Sequence, residues 1–283
     1  MKKLATLAMG LMLSMSVMAN TAFDQGVYYA SLGTDDGYRQ AFSYFSQVAE
    51  QGDDQAQLIA GLMSIDGQGT TQNYSQAHQW LSKSANQGNA NAQYNLGMMY
   101  YQGYGIPKDT QKAIDYLNQA AEQNQIQAQY NLGYIFATHP SHLNGKKAVE
   151  WYTKSAKQGF AKSQFNLAQL YYDGKIIPQD YQQALYWYTQ AATQGLADAQ
   201  LNLGAMYGNG IGITQDNTQA KDWFLKSAEQ SNIFAQINLA KMYYHGQGIK
   251  KDLTLAKQWL GKACDNGYQK SCDEYHELNQ QGY

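Results

Sequence analysis

The feature that most constrains this sequence is a repeat of about 36 residues. A small residue, alanine or serine, recurs at spacings of 36, 36, 35, 36, 36 and 36 residues, at Ala56, Ala92, Ala128, Ser163, Ala199, Ala235 and Ser271. These intervals define six full repeats between residues 56 and 270. Self-similarity at a fixed period of this length indicates stacked supersecondary units, because each unit covers the apolar face of the next.

Each repeat contains two helical segments. In residues 92–127, Ala92, Leu96 and Tyr100 recur at four-residue intervals in the first half, and Ala113 and Leu117 do so in the second. This spacing places apolar side chains on one face of a helix. Glycines separate the halves, and glycine favours the left-handed turn that ends a helix. One repeat is therefore predicted to be a helical hairpin, and the chain an all-α fold, an α/α solenoid.

We use the word column for the residues at one position of successive repeats. The second helix has an aromatic column that contains all five tryptophans: Trp80, Tyr116, Trp151, Trp187, Trp223 and Trp259. Small residues at fixed places let helices approach closely, while one large aromatic side chain per repeat fills the space between layers. This column is therefore interpreted as core.

The two ends of the array differ from the full repeats. Residues 20–55 contain a second-helix pattern after a shorter apolar segment, which predicts a degenerate N-terminal capping hairpin. Residues 271–283 contain one helical segment with a charged outer face, which predicts a C-terminal capping helix. A single solenoid domain is expected.

The first 19 residues predict a signal peptide. Two lysines precede an uncharged apolar run from Leu4 to Met18, and Val17 and Ala19 occupy the small-residue positions before the expected cut. The run is too short for a membrane span. The residue directly after the cut is Asn20 and not the cysteine that a lipid anchor needs, so we expect no lipid or membrane anchor. The predicted location is the periplasm, or outside the cell after secretion.

Charge argues against a nucleic-acid partner. The formal charge is −2, and Arg39 is the only arginine of the chain. A phosphate-binding surface needs clustered Lys and Arg side chains. The expected partner is therefore a protein or peptide, and the protein itself is expected to be a monomer.

The repeat resembles the Sel1-like repeat, a relative of the tetratricopeptide repeat. The pattern A-x-x-x-L-G-x-x-Y-x-x-G-x-G-[VI]-x-x-D-x-x-x-A-x-x-W-[YF]-x-x-[AS]-A-x-x-G is followed from Ala56 to Gly267, most completely in residues 199–230. The resemblance implies a right-handed superhelix of hairpins and a role as a protein-binding adaptor or scaffold. Within that role it leaves an envelope adaptor, a host-interaction factor and a toxin-immunity protein open.

Two stretches depart from the pattern. In the third repeat the loop has the sequence ATHPSHLNG, from Ala137 to Gly145, so both loop glycines are displaced. In the last repeat Cys264 stands where the other repeats have alanine, and Cys272 stands where they have glutamine. This spacing resembles the cysteine-rich secreted members of the family, in which such pairs are disulfides. An even cysteine count and an oxidising destination agree with a Cys264–Cys272 disulfide.

The cysteine-rich members also suggest an alternative function, a penicillin-binding or β-lactamase-like enzyme. No serine in the chain has a lysine three residues later, as that nucleophile pair requires. His139 and His142 could contribute two metal ligands, but their loop has no Cys, Asp or Glu to complete a site. We therefore predict a non-enzyme with no catalytic residue, cofactor or metal.

The predicted partner-binding residues lie in two first-helix columns where the repeats disagree most. Stacked hairpins line a concave face with their first helices, and variation within a fixed repeat is where a partner can be encoded. Tyrosine suits such a surface because its large ring has few rotamers and a polar tip. The alternative is that these tyrosines are half-buried core. The candidates are Met98, Tyr101, Tyr134, Gln169, Tyr172, Lys241 and Tyr244.

Overall fold

The computed structural model describes residues 21–283, so the predicted signal peptide and its cut site lie outside the described residues. Within residues 21–283 there are fifteen α-helices and no strand. In chain order the helices are α1 (Ala22–Ser31), α2 (Asp35–Glu50), α3 (Asp54–Asp66), α4 (Tyr74–Asn86), α5 (Ala90–Gln102), α6 (Thr110–Glu122), α7 (Ile126–Thr138), α8 (Gly145–Lys157), α9 (Ala161–Asp173), α10 (Tyr181–Thr193), α11 (Ala197–Asn209), α12 (Asn217–Glu229), α13 (Ile233–His245), α14 (Leu253–Asp265) and α15 (Gln269–Gln280).

The helices pack as consecutive hairpins in two compact units, which meet in sequence at Leu132 and Gly133. In the N-terminal unit α1 packs on α2, α3 on α4, and α5 on α6. In the C-terminal unit α9 packs on α10, α11 on α12, and α13 on α14. Each hairpin also contacts the helix that follows it within its unit. The predicted all-α solenoid of helical hairpins is confirmed.

The helix ends follow from the loop pattern of the repeats. In five of the six repeats a glycine with positive φ ends the first helix, and Gly103 at φ 77° is an example. A carboxylate or amide then caps the second helix. Asp109, for example, accepts a hydrogen bond from the Lys112 backbone N–H at 2.9 Å. Such caps contribute about 0.5–2 kcal/mol each. The second-helix caps are Asn73, Asp109, Asn144, Asp180, Asp216 and Asp252.

The third repeat closes its loop without these glycines. A short 3₁₀ turn, Pro140–His142, follows α7. The Asn144 backbone N–H then donates to the Phe136 carbonyl at 2.8 Å. In the second repeat the equivalent hydrogen bond runs from the Asp109 backbone N–H to the Tyr100 carbonyl at 3.0 Å. The loop is one residue shorter than the others and still brings an N-cap residue back onto the first helix.

The displaced glycine Gly145 has a packing role. In other repeats the second loop glycine lies against a larger residue at the start of the preceding second helix, as Gly212 does against Tyr181. The fourth repeat has Ile176 at that loop position, and here the preceding helix begins with Gly145. A Cβ atom on Gly145 would clash with the Ile176 carbonyl oxygen. The two departures therefore compensate each other.

The core follows the small and aromatic columns. The first-helix alanines and the second-helix alanines are completely or almost completely buried. Trp80, Trp151, Trp187 and Trp259 are each 8% exposed, whereas Trp223 and Tyr116 are half-buried. The aromatic column therefore lies at the edge of the core. Four tryptophans have a lysine three residues later whose Nζ atom lies 3.9–4.4 Å from a ring centroid.

A column of buried glutamines links successive helices in both units. Each glutamine Nε2 donates to the carbonyl eight residues earlier, as from Gln200 to Ala192 at 3.1 Å. In five of the six glutamines the Oε1 atom accepts from a side chain thirty residues later, as from Gln230 Nε2 at 2.8 Å. Buried amides need such partners, because an unpaired buried polar group costs about 1–3 kcal/mol. The column contains Gln57, Gln93, Gln129, Gln164, Gln200 and Gln236.

A disulfide joins Cys264 in α14 to Cys272 in α15, with a Cα–Cα distance of 4.7 Å. Cys272 stands in the glutamine column, and Cys264 lies eight residues earlier, where the other repeats have the alanine whose carbonyl accepts the glutamine's hydrogen bond. The disulfide predicted from the sequence is present in the structure. At this last junction a covalent bond thus replaces the hydrogen bond that links the earlier repeats.

Candidate partner-binding surface

The candidate residues of the N-terminal unit are Met98 and Tyr101 on α5. Both side chains are half-buried. In the preceding repeat the same two columns contain Leu62 and Ile65, which pack against the core cluster of this unit. The first-helix columns are thus the border between the core and the solvent.

The candidate residues of the C-terminal unit are more accessible. Tyr134 on α7 is 41% exposed and Tyr244 on α13 is 42% exposed. Lys241, one turn before Tyr244, is also exposed. The Lys251 ammonium lies 5.6 Å from the centroid of the Tyr244 ring. The last first helix of this unit therefore presents an exposed aromatic ring beside two cations.

Gln169 and Tyr172 lie together on α9 and are half-buried. Gln169 Oε1 accepts from the Tyr188 hydroxyl at 2.9 Å, and its Nε2 donates to Asp173 at 2.9 Å. The Tyr172 ring contacts Tyr181 at 5.5 Å and Tyr188 at 6.3 Å between centroids. Gln169 is thus fixed in place by two polar partners, and Tyr172 is supported by two rings.

Burial raises the pKa of Tyr172 and of the more deeply buried Tyr188. Desolvation raises the pKa of Tyr172, with smaller contributions from Tyr181 and Asp173. Desolvation raises the pKa of Tyr188 further, and that side chain is 1% exposed. Both hydroxyls therefore remain protonated at neutral pH and can donate hydrogen bonds. Tyr188 is core, whereas Tyr172 is partly open to a ligand.

The structure brings Gln169 and Tyr172 into one cluster on α9. Met98 and Tyr101 share α5, Lys241 and Tyr244 share α13, and Tyr134 is the one candidate on α7. Between α9 and α13, helix α11 contributes the small residues Ala205 and Gly208 to the two columns, and both are half-buried. Tyr101 and Tyr172 are half-buried, so the alternative of half-buried core still applies to them, whereas Tyr152 and Tyr188 on second helices are fully buried. None of the seven candidates is fully buried.

The two histidines of the third repeat interact with each other. Their Nδ1 atoms are 3.2 Å apart, so one ring donates and the other accepts. Among residues 21–283, no group of three or more His, Cys, Asp or Glu side chains could hold a metal ion. No helix in this range is long and apolar enough to cross a bilayer.

A cleft in the N-terminal unit was not predicted from the sequence. It has a volume of about 550 Å³, and its lining includes Asn86, Tyr100, Lys112, Asp115, Tyr116 and Gln119. The available signal was Tyr116, the one member of the aromatic column that is not tryptophan. Sequence reasoning interpreted that residue as core, but its side chain is half-buried and borders the cleft.

Comparisons with known proteins agree with this architecture. A crystal structure of a protective antigen from uropathogenic Escherichia coli, which displays an SLR fold, is 29% identical with a TM-score of 0.82. That match covers 92% of this chain and 56% of the antigen, so the present chain spans little more than half of that protein's length. A Sel1 repeat protein from Oxalobacter formigenes is 32% identical with a TM-score of 0.68, over 85% of this chain and 96% of that one. The search of curated proteins finds no match.

A family model described as the Sel1 repeat matches seven consecutive segments. They are residues 20–53, 54–89, 90–125, 126–160, 161–196, 197–232 and 233–268. The first segment coincides with the hairpin of α1 and α2, in which the Phe23 ring packs edge-on against Phe45 at 5.4 Å. Members of this family are in general protein-interaction scaffolds. With its family model matched from residue 20 to residue 268, the chain belongs to the Sel1 repeat family.

Proposed function

We propose that the protein is an exported, non-catalytic scaffold that binds a protein or an extended peptide through the first helices of its hairpins. The observation that carries this proposal is the contrast between columns. The constant first-helix alanine column and the glutamine column are buried, whereas the two variable first-helix columns contain exposed or half-exposed side chains, with Tyr134 and Tyr244 about two fifths exposed. Rigid tyrosine rings at such positions are typical binding anchors.

Export is supported by the first 19 residues and by the disulfide. Disulfides form and persist in oxidising compartments such as the periplasm. N-terminal sequencing of protein recovered from the periplasm would check the proposal, and the expected first residue is Asn20. A mature chain that retains Lys2 and Lys3 would contradict it.

Within the scaffold class, the three candidate roles are an envelope adaptor, a host-interaction factor and a toxin-immunity protein. The similarity to a protective antigen of uropathogenic E. coli favours a role at the cell envelope or in contact with a host. The cysteine pair that suggested a β-lactamase-like enzyme links α15 to α14 and thus has a structural explanation.

Site-specific photocrosslinking in the native cell tests the surface, because it captures a partner whose identity is not specified in advance. A photoreactive phenylalanine analogue replaces Tyr134 or Tyr244 on first helices, or Tyr186 on the second helix α10 as the matched control. Tyr186 is 53% exposed, so all three sites are accessible. We expect one discrete adduct from Tyr134 and Tyr244 and none from Tyr186.

The adduct then permits an affinity measurement with the identified partner. Truncating an aromatic anchor commonly costs about 2 kcal/mol or more, roughly thirtyfold in affinity. Tyr244→Ala should therefore weaken binding strongly, while Tyr186→Ala should not, at unchanged melting temperatures. Adducts from Tyr186 alone, or equal affinity of both variants, would refute binding by the first helices.

A further inference from the structure

The aromatic column of the second helices is completed by a lysine in four repeats. In those repeats the lysine three residues after the tryptophan lies over the indole ring, as Lys83 does over Trp80 at 4.4 Å and Lys262 over Trp259 at 3.9 Å. The ring and the lysine stem together cover the edge of the core between neighbouring helices. The second repeat lacks both side chains, because it has Tyr116 and Gln119 in their places.

The cleft of about 550 Å³ occurs at this substitution, and we name it the Tyr116 cleft. Both Tyr116 and Gln119 line it, as does Asn86 at the end of α4. Its volume is within the range of small-ligand sites, about 300–1,000 Å³. The repeat thus leaves open the space that a tryptophan and a lysine cover elsewhere in the same chain.

The rings of the cleft are held in fixed positions. Tyr100 and Tyr116 stack with 5.8 Å between centroids and an interplanar angle of 6°. His78 packs edge-on against Tyr100, and its Nε2 atom lies 3.3 Å from the Tyr100 hydroxyl. Lys112 lies 5.3 Å from the Tyr100 ring centroid on another side. A preformed aromatic wall reduces the entropy lost when a ligand binds.

The net charge of the N-terminal unit favours a cationic ligand, while the cleft lining itself contains one anion, Asp115, and one cation, Lys112. Residues 21–132 contain ten Asp and Glu against four Lys and Arg, a formal charge of −6. Asp115, at the cleft, is exposed, and one of its carboxylate oxygens accepts from Gln111 Nε2 at 2.8 Å. The Lys112 ammonium is near Asp109, at 3.9 Å, and near the Tyr100 ring. The net negative charge of the unit therefore attracts a ligand cation, and Asp115 is the carboxylate that it can reach in the cleft.

We propose that the Tyr116 cleft is a binding site for an aromatic side chain of a partner polypeptide, a tryptophan flanked by basic residues. The occupant supplies the indole ring and the cation that the repeat itself lacks at this place. The site is lined by residues of α4, α5 and α6 and contains none of the seven first-helix candidates, so the proposal stands whether or not those candidates bind a partner.

Short peptides are the probes for this site. By calorimetry or ligand-observed NMR, the blocked tripeptide Lys-Trp-Lys should bind at least about tenfold more tightly than Lys-Ala-Lys and Glu-Trp-Glu, as expected for an aromatic anchor with a charge preference. Equal binding of Lys-Trp-Lys and Lys-Ala-Lys would show charge attraction only and overturn the proposal. Absence of Lys-Trp-Lys binding at millimolar concentration would also overturn it.

The decisive variant fills the cleft with the chain's own side chains. Tyr116→Trp combined with Gln119→Lys reproduces the pattern of the other repeats, and it should weaken Lys-Trp-Lys binding at least about tenfold without lowering the melting temperature. Gln190→Lys, which adds the lysine of the column beside Trp187, is the matched control and should leave binding unchanged.

A second variant tests the proposal even if the double variant Tyr116→Trp, Gln119→Lys folds poorly. Asp115→Asn removes one exposed charge and leaves the packing intact. It should therefore reduce the ratio of the Lys-Trp-Lys affinity to the Glu-Trp-Glu affinity severalfold. If neither Asp115→Asn nor the filled variant weakens Lys-Trp-Lys binding, the peptide binds elsewhere and the proposal is wrong.

Discussion

At the scale of single residues, position within the repeat decides what a tyrosine does. Tyr152 and Tyr188 on second helices are each 1% exposed, and Tyr152 packs against Gly133, where a Cβ atom would clash with its ring. Tyr134 and Tyr244 on first helices are about two fifths exposed. The same amphipathic side chain thus fills the core in one column and forms a possible contact surface in another.

His78 gives a pH-dependent prediction at this scale. Burial, and then the charge of Lys112, lower its pKa below the ordinary value of 6.5. As the pH falls through 6.5, the unfolded chain binds a proton that the folded chain still excludes, so stability decreases from about pH 6.5 downward to the folded pKa. Above this window His78 is neutral in both the folded and the unfolded chain, so it causes no loss of stability.

The measurement is the melting temperature across this window. His78→Gln should reduce the loss of melting temperature between about pH 7 and pH 5, since the variant has no proton to bind at this position. His276→Gln, which changes an exposed histidine on α15, is the control. If the wild-type protein and His78→Gln lose stability in parallel, protonation of His78 is not responsible for the loss.

At the scale of elements, much of the hairpin could be predicted because each helix has its own local signals. Spacing of apolar residues indicated both helices, glycines indicated the end of the first, and Asp109 and its equivalents indicated the start of the second. The compensation between Gly145 and Ile176 could not be predicted, because it joins residues in different repeats. The sequence shows each departure separately, and only the packing shows that they touch.

This compensation gives the second prediction. Gly145→Ala should destabilise the protein by about 1–3 kcal/mol, the usual cost of overpacking. Adding Ile176→Gly lets the loop adopt the positive φ that glycine has at this position in the other repeats, so that the residue 176 carbonyl can move away from the added Cβ atom, and should recover part of that loss. Gly208→Ala is the matched control, because a Cβ atom there meets its nearest neighbour at an ordinary 3.4 Å. Additive effects of Gly145→Ala and Ile176→Gly in urea unfolding would show that the two sites are independent.

The candidate surface was predicted only in part for a related reason. Variation between repeats correctly indicated side chains that are not fully buried, because packing constrains the constant columns. It could not indicate the Tyr116 cleft. There the departure from the pattern is a smaller aromatic side chain, and sequence alone does not show whether neighbours close the space that it leaves.

At the scale of the whole molecule, the hairpins interact chiefly with their neighbours in the chain. Within each unit the described helices pack on those immediately before and after them, and the glutamine column repeats one link at each junction. Stability in such an array is approximately a sum of local terms. A change at one junction should therefore affect nearby helices and leave distant ones protected.

The last junction tests this locality, because a disulfide there replaces the glutamine link. Closing so short a loop contributes about 2–3 kcal/mol in the chain-entropy model. Cys264→Ser with Cys272→Ser should therefore raise hydrogen exchange in α14 and α15, while α9 and α10 keep their protection. Cys264→Ala with Cys272→Gln restores the residues of the other repeats and should recover protection through the amide hydrogen bond. If hydrogen exchange rises equally from α9 to α15, the effect of the disulfide is not local. If the Gln variant exchanges as fast as the Ser variant, the amide hydrogen bond does not replace the disulfide.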